Sequence, residues 1–236
     1  MLTNVVVCAV GGIEPTKLLP AFAEKLGAIK SNAKPVAPVK AHSGNREMTW
    51  DLDARHLVLT WPIPTLDHAD YPALLLAAQW LNMQFFGDEG LKQLTGMTLA
   101  GVDLTTPEGN FFFVSASLRP EAAFKDVRDK IDGHLRQLAS GKVNLSLAPM
   151  IGKQLAESLT TLPDPATMKG QLPPNMTPAM LEMNIGLQWG MNEFRYAALK
   201  AALARKLNSE NIEKVQGAAR RNLSTNECSV TTIRPF

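Results

Sequence analysis

The residues able to do chemistry are few and dispersed. His42, His56, His68 and His134 are the four histidines, and none belongs to a His-x-x-x-His or His-x-x-Glu-His pair. A tetrahedral zinc site needs three or four converging ligands. Asp53 and His56 stand three apart and His68 and Asp70 two apart, so each pair offers two ligands with no third in sight. The plainer reading puts His42 in a loop, His56 at the start of a strand, His68 ahead of a helix and His134 beside a helix's apolar stripe. Nucleophilic catalysis fares no better. There is no Gly-x-Ser-x-Gly elbow. Cys8 falls in a predicted strand, where a thiol is buried and inert, and Cys228 begins the last strand. Two free thiols are preferred to a Cys8–Cys228 disulfide. Asp88 and Glu89 sit in a turn, where carboxylates are solvated by default. Glu193, Arg195 and Tyr196 read as surface or interface residues of a long helix. The expectation is therefore no catalytic, cofactor-binding or metal-ligating residue.

The opening, NVVVCAVGGIEPTKLLPAFAEKLG, poses a second chemical question. Val5, Val6, Val7 and Val10 form a nearly continuous apolar run, as in a buried strand. Gly11 and Gly12 turn the chain, Pro15 suits a first helical turn, and Leu18, Leu19, Phe22 and Leu26 repeat at helical spacing. A phosphate loop needs a Lys-Ser/Thr after its glycines or a third spaced glycine. Neither is present, and Glu14 would set a negative charge where phosphate should lie. The stretch turns a corner.

The elements that would carry these residues follow from periodicity. Residues 30–46 are a loop rich in Pro, Ala and Ser. Strands are predicted at 47–51 and 56–63, with Pro62 and Pro64 favouring an edge or an end of the second. A helix over 70–86 is almost wholly apolar, so it is central or part of a protein contact. A strand near 99–105, a turn at 107–110 and a strand over 111–118 make an antiparallel hairpin. Phe124, Val127, Ile131, Leu135 and Leu138 stripe the next helix. Residues 141–176 are poorly defined, with a short helix at 150–161. A long helix over 178–207, containing Trp189, is followed by one at 211–222 and a strand at 228–233. The last helix turns Ile212, Val215 and Ala219 inward and Lys214, Arg220 and Arg221 outward. This order predicts an α+β fold: a two-layer sandwich, the sheet largely antiparallel and the helices mainly on one face. Residues 1–236 read as a single domain.

Bulk properties narrow the class. The 236 residues are 45% hydrophobic and 19% charged, with 24 Lys+Arg against 22 Asp+Glu. A formal charge of +2 gives no basic footprint for nucleic acid, and the basic face of the last helix reads as solvated. No apolar run reaches membrane-spanning length. No signal peptide is legible, so a cytoplasmic location is the expectation unless the chain is an N-terminally truncated fragment.

The order of elements and several phrases resemble a family. The opening strand–turn–Pro–helix, the strand HLVLTWPIP, the apolar helix DYPALLLAAQWLN and the closing NIEKVQGAARRNLSTNECSVTTIRP are similar to the C-terminal domain of a half-molecule of the insulinase/pitrilysin-type metallopeptidases. That family includes the mitochondrial processing peptidases. The resemblance spans nearly the whole chain and is weakest over 141–190. It implies a fold, and it also implies what is missing. The family's His-x-x-Glu-His motif belongs to a preceding domain, and this sequence has none. The family's C-terminal domains can lend an Arg and, seven residues later, a Tyr to substrate. The matching segment LTGMTLAG places Leu94 and Gly101 at those positions, with Lys92 the nearby cation.

Three expectations follow. The first is a catalytically silent, peptidase-like domain with a structural or partner-binding role. The second is the non-catalytic part of a split zinc peptidase, with zinc supplied only by a His-x-x-Glu-His partner subunit. The third is a peptide-binding module that adds a strand at 56–63 or 111–118. A zinc-bearing subunit, a homo-oligomer or a peptide are the partners these imply; nucleic acid and membrane are not.

Overall fold

The computed structural model describes residues 14–27, 44–64, 68–102, 110–141, 148–160, 201–207 and 212–236, with isolated residues between 177 and 187. The chain forms two compact units, one of Met1–Ala37 with Ser158–Ala201 and one of Pro38–Glu157 with Ala202–Phe236. The opening strand expected with Cys8, the Gly11–Gly12 corner, His42, the 107–109 turn, residues 161–176 of the poorly defined stretch and Glu193, Arg195 and Tyr196 lie outside the described residues.

In the first unit, α1 spans Pro15–Leu26. Proline sits in its first turn, where a missing N–H costs nothing, and Glu14 pairs with Lys17 at 2.7 Å. Leu18, Phe22 and Leu26 are half-buried at i, i+4 and i+8, whereas Leu19 is 65% exposed and leaves the predicted stripe.

The second unit is built on a five-stranded sheet of order β1-β5-β2-β4-β3. The strands are β1 (Asn45–Trp50), β2 (Arg55–Ile63), β3 (Thr95–Val102), β4 (Asn110–Leu118) and β5 (Ser229–Pro235). Among the described residues, β1 and β5 pair in parallel and the other three ladders are antiparallel. The predicted hairpin is β3–β4. β2 is the middle strand, so its prolines mark an end and not an edge. The ladder to β5 stops at Thr60↔Ser229, and Pro62 faces only β4, across from Phe111. Both strands proposed for strand addition are interior; among the described residues, the sheet's edges are β1 and β3.

Alternation puts Leu57, Leu59, Trp61 and Ile63 of β2 and Phe112, Val114, Ala116 and Leu118 of β4 on one buried face. Helix α2 (Tyr71–Gly87) supplies much of the layer above it, with α4 (Phe124–Ser140) and α6 (Ile212–Asn222) packed alongside. Tyr71, Leu74, Ala77 and Leu81 of α2 are fully buried. Its apolar circumference thus makes it the central helix. In α4 the stripe of Val127, Ile131, Leu135 and Leu138 is buried, while Phe124 is half-buried under the guanidinium groups of Arg55 and Arg234. In α6, Val215 and Ala219 turn inward. Short α3 (Glu89–Leu94) fills the space between α2 and β3, where the sequence pattern predicts only a turn. Helix α5 spans Ala148–Thr160, and residues 201–207 are helical.

Candidate functional site

Built from the chain upward, the site begins where α2 ends. Asp88 follows α2 and caps α3, its carboxylate accepting from the Leu91 N–H at 3.1 Å. The same carboxylate meets His134 Nε2 of α4 at 2.9 Å, and Lys130 approaches at 3.8 Å. Burial alone would raise the Asp88 pKa. The hydrogen bonds from His134 and Leu91, with the Lys130 charge, outweigh that and hold it below the ordinary carboxylate value. His134 lies edge-on against Phe85, and its Nδ1 is buried with no hydrogen-bond partner among the described residues. Asp88 is therefore a partly buried anchor and not the solvated turn residue expected from sequence. The consequence is positional: capped in this way, α3 sets Lys92 and Thr95 at the start of β3.

Among the described residues, strand β3 has a strand partner on one side only, and a groove of about 460 Å³ runs along its other side beneath the end of α2. Phe86 is 79% and Met97 65% exposed at its rim. At one end, the Lys92 ammonium pairs with Glu89 at 2.7 Å and rests on the Phe86 ring. Arg119 lies beside it, its backbone N–H donating to Leu94 O and its Nε to Lys92 O at 3.0 Å. Further along, the Asn82 carboxamide closes part of the strand edge. It donates to Ala100 O at 2.9 Å and accepts from Ala100 N–H at 2.6 Å, as a neighbouring strand would. Lys92 is accessible to sequence reasoning, whereas Arg119 and Asn82 are not. Nothing in the order of residues shows that Arg119, after β4, folds back over Lys92.

The positions set against the family's helper residues have plain structural roles. Leu94 closes α3. Gly101 pairs directly with Phe113, and a Cβ at 101 would lie 2.6 Å from that ring. The Phe113 ring covers the glycine, an arrangement that offsets glycine's weakness in a strand.

The other nominated residues do not converge. His68 Nδ1 accepts from the Asp70 N–H at 3.1 Å, a local turn contact. His56 lies in the middle strand, paired with Ser117 and Ile233. Cys228 is a free thiol 3.0 Å from an Arg128 nitrogen. Arg220 and Arg221 of the basic face are tied to Ala139 O and to Asp70. Among the described residues, no group of three or more His, Cys, Asp or Glu is placed to hold a metal ion, and no helix is long and apolar enough to cross a membrane.

The described residues form a largely antiparallel sheet with helices packed against it, and no metal-holding group of side chains is assembled among them. The comparisons agree. Residues 2–146 match the family model described as the peptidase M16 inactive domain, and the chain belongs to that family. By that membership it is a non-catalytic domain of the insulinase type. A protease from Helicobacter pylori is similar in fold, with a TM-score of 0.60 and 12% identity, over 96% of this chain and 54% of that one. A peptidase M16 inactive domain from Pseudomonas fluorescens gives 0.60 and 15%, over 95% and 52%. The inactive peptidase domain of a putative zinc protease from Bordetella parapertussis gives 0.59 and 12%, over 80% and 95%. The chain thus spans about half the length of the first two. Comparison with curated protein sequences gives no significant match.

Proposed function

We propose that residues 1–236 act as one non-catalytic peptidase-like domain that pairs with a zinc-bearing subunit carrying His-x-x-Glu-His. The observation that carries this reading is the match of residues 2–146 to an inactive peptidase domain. A zinc peptidase mechanism needs ligands, a general base and bound water together, and this chain's contribution is surface. The β3 edge groove is the part of that surface most suited to an extended chain. A homo-oligomer is the simplest rival.

The test is affinity capture of the tagged chain from its native extract with mass spectrometry of what co-purifies. A stoichiometric partner bearing His-x-x-Glu-His, and zinc-dependent peptide hydrolysis by the pair but not by this chain alone, is the expected result. A folded monomer or homodimer with no such partner overturns the pairing.

A further inference from the structure

We propose that the surface methionines of this chain are reversible oxidation sites, converted to sulfoxides by peroxide while the fold stays intact. The reading does not depend on a zinc-bearing partner.

The observation is an inversion of where methionine usually sits. The chain has ten methionines, and Met48, Met83, Met97, Met150, Met180 and Met183 are the ones among the described residues. An unbranched thioether is ordinarily a gap-filler of cores. Here every one of these side chains is exposed, from 36% to 65%. The buried apolar residues among those described are Leu, Ile, Val, Ala and aromatics, with no sulfur.

Single elements repeat the pattern. In α2, Leu74, Leu81 and Phe85 are buried and Met83 is outside; in α5, Ile151 and Ala156 are buried and Met150 is outside. The sulfurs are also dispersed. Met48 is in β1, Met97 in β3, and Met180 and Met183 belong to the other compact unit. One contact face does not account for all of them.

The chemistry needs only hydrogen peroxide. The sulfur lone pair attacks one peroxide oxygen, the S–O bond forms as the O–O bond breaks, and the sulfur gives up two electrons. The departing hydroxide takes the proton of the transferred oxygen and leaves as water. The sulfoxide is polar, so in a core it disrupts packing, whereas at these positions water solvates it. Exposure also gives sulfoxide reductases access for the return step.

The experiment treats the full chain with hydrogen peroxide at about pH 5, where thiols are protonated and react slowly. Peptide mapping follows each methionine, and urea unfolding follows the fold. Each rate is compared with the same residue's rate in the urea-unfolded chain. All six are expected within about tenfold of the unfolded rate, because no opening of the fold has to precede attack. The urea midpoint of the oxidised chain should move by less than about 0.3 M, as for ordinary surface changes. Methionine sulfoxide reductases should then restore the original mass. A larger lag at any of these residues, or a midpoint that falls in step with their oxidation, overturns the proposal. All readings are taken on the native sequence, so no variant has to fold.

Discussion

The two ends of α2 carry the same kind of residue and use it differently. At the N-terminal end, Asp70 accepts two hydrogen bonds from Arg221, at 3.0 and 2.6 Å, and one from Asn222 at 3.0 Å. The Arg221 hydrogen bonds are the main reason its pKa is lowered; burial opposes them and Asn222 adds to them. This end staples the last helix to the central one. At the C-terminal end, Asp88 serves a cap and a histidine, and beside it lie a bare phenylalanine and the groove along β3. Both aspartates are anchored. Only the second anchors elements that face a groove. Partial burial and a lowered pKa are therefore no sign of function by themselves; what the anchored element presents decides it.

Several experiments sharpen or break this contrast. The largest effect belongs to neither end. Leu81, fully buried in mid-helix, should cost about 3 kcal/mol on replacement by alanine, read from urea unfolding. Asp88→Ala should cost about 2 kcal/mol, because it removes a cap and leaves His134 Nε2 without its partner. It should also weaken peptide hydrolysis by the pair through displaced α3. Asp70→Ala should cost about 1 kcal/mol and leave that hydrolysis unchanged. Equal loss of hydrolysis in both variants would erase the difference between the ends. The smallest effect is on pH dependence. Both carboxyls have lowered folded-state values, so their stabilisation is present above the ordinary 3.8 and is lost as pH falls through the lower folded values. Urea midpoints should drop below about pH 4, and less steeply in Asp70→Asn and Asp88→Asn. An unchanged slope in Asp88→Asn would show that its carboxylate is not held as its contacts imply.

The sequence makes some of this visible and conceals the rest for physical reasons. The 56–63 and 111–118 strands and the helices at 70–86 and 211–222 are legible because periodicity and proline or glycine boundaries agree there. Strand order is not. Alternation tells which face of β2 is buried but not which strands flank it, so the middle strand reads as well as an edge. α3 escapes notice because six residues after a glycine give too short a pattern. The groove is illegible for a different reason. Asn82 and Ala100 are 18 apart, and Lys92 and Arg119 are 27 apart. Only the return of β4 along β3 and the lie of α2 over their edge bring them together.

Gly101 beneath the Phe113 ring has a consequence for descent. A glycine whose missing side chain has been filled by a neighbour is simple to enter and awkward to leave. Any residue arriving at 101 meets a Phe113 ring atom at 2.6 Å, so that ring must swing aside or position 113 must change with it. A larger residue at 101 is therefore accommodated only with a rearranged ring at 113. Among relatives, these two positions should change together.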